Sequence, residues 1–309
     1  MYPEAVAQTN QELEFLFGSL LDEIPLLKNR DSLSELSGGL TNRNLLVSCG
    51  VEKYVARISS NSSALLAIDR ESEFQNSQLA ATAGIGAPIH GYLPGKGLLL
   101  VGYLPGKTFS AADVGANLSR IAQSCRTLHS AKPFRRDFNM FEIQKNYLSI
   151  VQERGFALPK GYLEYGEQIR QIQRALSMVE IANVPCNNDL LPGNFIDGGE
   201  KIWIIDYEYS GNNDPCFELG NIWAESYLEL EQLEELVTAY FGGHNPQMLA
   251  RAWLQVLVGK YGWALWASIQ SSISEIDFDF WGWGMEKYEK AESEFQSEHF
   301  KQALAQVSV

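Results

Sequence analysis

Three oxygen-bearing side chains in one short stretch carry the strongest chemical signal in the chain. Asp189 is followed five residues later by Asn194, and Asp206 stands twelve residues beyond that. Carboxylates and an amide carbonyl are hard ligands, suited to magnesium rather than zinc. A hairpin can bring them together, because Asp197-Gly198-Gly199 accepts the positive φ that tight turns demand and Ile202 to Ile205 reads as the returning strand. Asp189, Asn194 and Asp206 would then meet at one end of that hairpin. The spacing D-x-x-x-x-N also arises by chance, so its meaning depends on what surrounds it.

Upstream, Gln11 to Leu27 carries Leu13, Leu16, Phe17, Leu20 and Leu21 at helical intervals and predicts an amphipathic opening helix. Residues 33–48 read as two short strands joined by Gly38-Gly39, a pair that lets main-chain N–H groups approach a phosphate but that, taken alone, is usually only a turn. Lys53 to Ile58 is the next strand. It contains Arg57, whose planar fork could hold two phosphate oxygens or lie exposed to solvent. Asp69 to Ala83 predicts a helix ended by Gly84, and Ile89–Tyr92 and Leu98–Val101 predict strands around a Pro94-Gly95 turn. This composes a small antiparallel lobe of about five strands. Gly102 to Lys107 has the turn residues of a hinge, which divides the chain into an N-terminal lobe, residues 1–103, and a C-terminal lobe, residues 104–309.

Downstream the periodicity is helical. Ser110 to Asp113 resembles a capping box, and Val114, Leu118, Ile121, Cys125 and Leu128 extend one predicted helix to His129, a residue expected to be structural. Ile169, Ile172, Leu176 and Val179 mark another. In the stretch Leu254 to Ile273, Trp263 and Trp266 share a helix face that Gln270 continues, and Trp281 and Trp283 follow. Such a stripe fills a core, the reading that composition alone favours. It can equally hold a quaternary ammonium, which has no N–H to donate and is bound by aromatic faces at about 0.5–2 kcal/mol each beside a carboxylate.

The remaining composition excludes several classes. The 309 residues, 45% of them apolar, suffice for a large two-lobed globular protein. A formal charge of −14 with no basic tract makes nucleic acid an unsuitable partner and suits a small cation better. Four cysteines without CxxC spacing read as reduced thiols of a cytoplasmic protein. The polar start lacks the features of a secretory signal, and no run approaches eighteen apolar residues, so no membrane span is expected.

Several motifs in the same order resemble the choline/ethanolamine kinase family over residues 36 to about 288. Ser37-Gly38-Gly39-Leu40-Thr41-Asn42 is similar to its nucleotide-covering loop, and Arg70-Glu71-Ser72-Glu73 to its R-x-x-E helix. Asp189 through Asn194 to Asp206-Tyr207-Glu208-Tyr209 is similar to its catalytic and metal segments, the last replacing the Asp-Phe-Gly of protein kinases. Phe217 to Glu225 and Trp263-Ala-Leu-Trp266 through Phe278 resemble its acceptor-site helices.

The resemblance implies a two-lobed, protein-kinase-like α+β fold using ATP and Mg2+ to phosphorylate the hydroxyl of choline. Asp189 would take the proton, and Asn194 and Asp206 would hold metal. Gly38, Gly39, Thr41 and Asn42 would cover the nucleotide, Arg57 paired with Glu73 (or Glu71) would hold phosphates, and the hinge at Tyr103 and Leu104 would meet adenine. Glu225, Trp263, Trp266, Trp283 and Gln270 would surround the acceptor cation. Ethanolamine, thiamine and aminoglycosides are the alternative acceptors, and a nucleotide or choline sensor without turnover is the alternative of another class. Two positions depart from the pattern. Asn187 replaces the family's loop histidine, where its donor and acceptor should still scaffold the backbone, and Trp283 replaces a tyrosine while keeping a ring.

Overall fold

The structure, a computed structural model, describes residues 8–36, 39–59 and 65–308. Helix α1 (Asn10–Leu21) begins at a reciprocal capping box between Thr9 and Glu12. It stops short of the expected Leu27. Pro25 has no amide hydrogen and disfavours helical geometry at Ile24, so Pro25–Leu27 forms a separate 3-10 turn.

Strands β1 (Ser32–Leu36), β2 (Asn42–Cys49) and β3 (Glu52–Ser59) are followed by helix α2 (Arg70–Thr82) and by strands β4 (Ile89–Leu93) and β5 (Leu98–Gly102). All neighbours pair antiparallel in the order β1-β2-β3-β5-β4. One face of this sheet buries Leu45, Val47, Ala56, Leu98 and Leu100 with Leu13 and Leu21 of α1, a small core of its own. Successive strand residues point to opposite faces. Arg57, next to Ala56, therefore projects to the face that α2 occupies. Asp69 caps α2 by accepting from the Ser72 amide, and Glu71 and Glu73 sit in its first turn, where the helix dipole favours them.

After β6 (Lys107–Thr108) the chain becomes mostly helical. The single helix expected from Ser110 to His129 is two, α3 (Ala111–Gly115) and α4 (Leu118–His129). The capping box at Ser110 and Asp113 is present, but Gly115 is a poor helix former and the Asn117 side chain turns back to the Asp113 carbonyl at 2.8 Å. Helices α5 (Met140–Arg154) and α6 (Gly166–Ser177) follow; α6 contains Ile169, Ile172 and Leu176 and ends before Val179.

Strand β7 (Val184–Cys186) leads to the expected hairpin of β8 (Phe195–Asp197) and β9 (Ile202–Ile204), and β10 (Gly211–Asn213) returns to pair with β7. The chain closes with α7 (Pro215–Glu225), α8 (Leu230–Phe241), α9 (Pro246–Ile273), α10 (Phe280–Phe295) and α11 (Glu298–Val307).

Helix α9 is the axle of the lower lobe. Its 28 residues are buried almost all round, and a helix apolar on every side must be covered on every side. Helices α5, α7, α10 and α11 supply that cover, which fixes Trp263 and Trp266 rigidly. Among the described residues, no helix is long and apolar enough to cross a membrane.

Helices α7 and α9 cross so closely at Gly220 that an added Cβ would lie 2.5 Å from the Ala252 carbonyl oxygen. Gly220→Ala must therefore push apart the two helices that carry Glu225 and the tryptophans. We expect a loss of about 1–3 kcal/mol in unfolding free energy, measured as a lower urea midpoint at unchanged slope.

Candidate active site

The loop that carries Asp189 leaves β7 at Cys186 and turns at Asn188, whose φ of 67° is one that asparagine tolerates better than most side chains. Asn188 is fully buried and acts as a spacer between chain segments. Its Nδ2 faces the carbonyls of Tyr209 (3.1 Å) and Gly211 (3.3 Å), its Oδ1 accepts from Asn213, and its amide donates to the Glu218 carboxylate at 2.7 Å. Asn187 secures the other side. It donates to the carbonyls of Ile205 (3.1 Å) and Asp206 (2.8 Å) and accepts from the Asp189 amide at 3.1 Å. The side chain standing in the family's histidine position thus ties the loop backbone of Asp189 to that of Asp206.

Asn194 completes the triplet. Its Nδ2 donates to the Asp189 carbonyl at 2.7 Å, and its own carbonyl accepts from the Ile205 amide at 3.0 Å. With the NH2 group committed, the amide oxygen is the atom left to ligate a metal. The structure therefore gathers Asp189, Asn194 and Asp206, as their spacing suggested.

Charge is concentrated here. Arg57 reaches across from the sheet to Asp206 (2.5 Å) and Glu73 (3.2 Å), so Glu73 rather than Glu71 is its partner on α2. Burial alone would lower the Arg57 pKa, but Asp206, Glu73 and Glu208 outweigh it and hold the guanidinium charged. Arg70 joins Glu73 (2.7 Å) to Glu208 (3.1 Å). Burial, then Asp206 and Glu73, push the Glu208 carboxyl up to about 7 against the pull of Arg70 and Arg57. Burial, then Asp206, Glu208 and Glu225, raise the Asp189 carboxyl well above the ordinary range. A site so short of positive charge suits a divalent cation, and its hard oxygen donors fit magnesium.

Of the nucleotide-loop residues, Gly38 lies outside the described residues. Gly39 turns so tightly that an added Cβ would collide with the Asn42 carbonyl. Thr41 Oγ1 and Asn42 Nδ2 both donate to Glu208, at 2.6 and 2.8 Å. At the predicted hinge, the Tyr103 amide donates to the Lys53 carbonyl at 3.1 Å and the residue is 39% exposed, whereas Leu104 is buried.

The aromatic residues gather beside this charged cleft. Trp263 and Trp266 are each only 5% exposed, as a core stripe would be, while Trp283 on α10 is half-buried. Trp266 meets Trp283 edge-on at 5.5 Å, and Trp263 meets Tyr209 at 5.1 Å. Trp266 Nε1 also donates to the Tyr209 hydroxyl at 2.8 Å. Gln270, one turn on, donates to the Leu40 carbonyl of the nucleotide loop at 3.1 Å. Glu225 ends α7 beside Trp283, and Lys287 binds it at 2.5 Å while stacking its ammonium 4.2 Å from the Trp283 ring centre.

His129 is structural, as expected. Its Nδ1 lies 2.7 Å from the Tyr240 hydroxyl, and its Nε2 lies 3.0 Å from Glu218 and 3.6 Å from Cys186 Sγ. This buried trio braces the loop from beneath. Sequence reasoning passed over Asn188, Glu208, Tyr209, Glu218 and Lys287 as site residues. Glu208 and Tyr209 were visible as neighbours of Asp206, but nothing local marks Glu218 or Lys287.

Asn187→Ala would remove one acceptor and two donor contacts at once. Unfolding free energy should fall by about 1–3 kcal/mol in chemical denaturation, and Asn187→His, with one donor and one acceptor, should recover part of it.

The family model described as choline/ethanolamine kinase matches residues 33–238. Over 220 residues the chain is 27% identical to Protein LicA of Haemophilus influenzae, a match covering 67% of this chain and 62% of that one. It is 28% identical over 284 residues to Ethanolamine kinase 2 of Homo sapiens, covering 78% and 70%. The crystal structure of a choline/ethanolamine kinase family protein from Mesorhizobium loti superposes with a TM-score of 0.84 at 28% identity, over 96% of this chain and 99% of that one. With the fold, the motif order and these matches in agreement, the chain belongs to the choline/ethanolamine kinase family.

Proposed function

We propose that this chain transfers the γ-phosphate of MgATP to the hydroxyl of choline. The observation that carries the reading is the junction at Tyr209. Three residues beyond Asp206, its hydroxyl accepts from Trp266 and its ring meets Trp263, so the aromatic cluster is fastened directly to the segment bearing the candidate metal ligand.

In this reading the hinge presents the Tyr103 carbonyl and the Leu104 amide to adenine, and Gly38, Gly39, Thr41 and Asn42 cover the phosphates. Arg57, positioned by Glu73, holds phosphate oxygens bidentately. Asn194 and Asp206 hold Mg2+, which when bound supplies positive charge against the transferring phosphoryl oxygens. Asp189 orients the acceptor hydroxyl and takes its proton. Trp263, Trp266, Trp283 and Gln270 enclose the headgroup, and Glu225 offsets its charge.

Ethanolamine is the second reading. Lys287 favours it, because a primary ammonium already makes the contacts with Glu225 and Trp283 that an amino alcohol would make. A polyamine sugar or thiamine has no comparable observation behind it. The simultaneous presence of Asp189, Asn194, Asp206 and Arg57 weighs against a sensor without turnover.

Rates of ADP release with choline, ethanolamine, thiamine and an aminoglycoside test the proposal, with the highest kcat/KM expected for choline. A preference for the aminoglycoside would overturn it. Asp189→Asn should lower kcat by about 10²–10⁴-fold while leaving ATP affinity within a few-fold. A variant that kept most of its rate would show that another group is the base.

A further inference from the structure

Lys287 is on α10, one helical turn beyond Trp283, and sequence reasoning assigned it no role. Its ammonium is buried, bonded to Glu225 at 2.5 Å and lying 4.2 Å from the centre of the Trp283 ring. A carboxylate and an aromatic face are the two groups that any cationic headgroup would need at this place. We propose that Lys287 is a resident cation of the acceptor site, competing with the incoming headgroup for Glu225 and Trp283 and so setting acceptor affinity. The inference rests on the assignment of Glu225 and Trp283 to the acceptor site.

The surroundings make Lys287 hard to displace. The cavity beside it, about 230 Å³, is lined by Lys260 and Lys290 together with Trp223, Tyr227 and Glu286. Glu286 already accepts from Lys290 at 2.6 Å. Burial, then Lys287 and Lys290, push the Lys260 ammonium down to about 8, so the cavity is already crowded with positive charge. An ammonium leaving Glu225 would enter it without gaining an uncommitted carboxylate from its lining. Lys287 therefore holds its place until a headgroup takes both contacts.

Tetramethylammonium, which carries the headgroup without a hydroxyl, separates binding from chemistry. Its affinity is to be measured by tryptophan fluorescence on wild type, Lys287→Met, which keeps the apolar stem without the charge, and Lys287→Arg. Lys287→Met should bind it about tenfold more tightly, the scale of one partly desolvated cation contact. The KM for choline should fall by a similar factor, more than kcat changes. Unchanged or weaker binding overturns the inference. If Lys287→Met fails to fold, Lys287→Arg decides, because weaker binding than wild type supports competition and equal or tighter binding refutes it. Tighter binding to Lys287→Met without phosphocholine formation by wild type would remove the choline reading alone. Phosphocholine formation without tightening would remove the competition alone.

Discussion

Repulsion among carboxylates is the constraint on which the rest of this structure depends. Asp189, Asp206, Glu208 and Glu73 converge on one cleft, where burial, then Asp206 and Glu208, raise the proton affinity of Asp189, and burial, then Asp206 and Glu73, raise that of Glu208. Arg57 and Arg70 are the cations set among them. Arg57 sits between Asp206 and Glu73, and Arg70 between Glu73 and Glu208. Both arginines belong to the upper lobe, whereas Asp206 and Glu208 belong to the lower. Charge compensation and lobe apposition are therefore one interaction. The arrangement remains short of positive charge around Asp189.

Uncharged groups do the finer positioning. Asn187, Asn188, Asn194 and Asn213 use amide groups to fasten backbone carbonyls and amides to one another, and buried Glu218 and His129 brace that net from below. An amide offers a donor and an acceptor without adding charge to a region already crowded with it. This accounts for how asparagine serves at position 187, where the family pattern has histidine. The required property there is a hydrogen-bonding shape that spans two loops.

The aromatic cluster is built in two parts. Trp263 and Trp266 are fixed by helix α9 and almost wholly covered, as a core stripe is, while Trp266 also meets the half-buried Trp283. Trp283 and Glu225 are linked instead through the long side chain of Lys287.

Much of this was legible in the chain itself. Whereas the resemblance implied Arg57 with Glu73, the hairpin from Asn194 to Asp206, the five strands and the shared helix face of Trp263 and Trp266 follow from local spacing and turn chemistry. Such features depend on residues a few positions apart, where backbone geometry leaves few choices. The same rules failed at Pro25 and at Gly115 to Asn117, where one breaker outweighed an apolar period. Spacing could not show that Glu208 takes the nucleotide loop through Thr41 and Asn42, that Glu218 supports Asn188, or that Lys287 sits on Glu225. Those pairs join residues from 30 to 167 positions apart in the chain. Buried charge chooses its partner by where the packed helices and lobes leave it. The kinds of chemistry were thus written in the sequence, while tertiary structure decided which charge answers which, because desolvation makes partner choice a property of the whole fold.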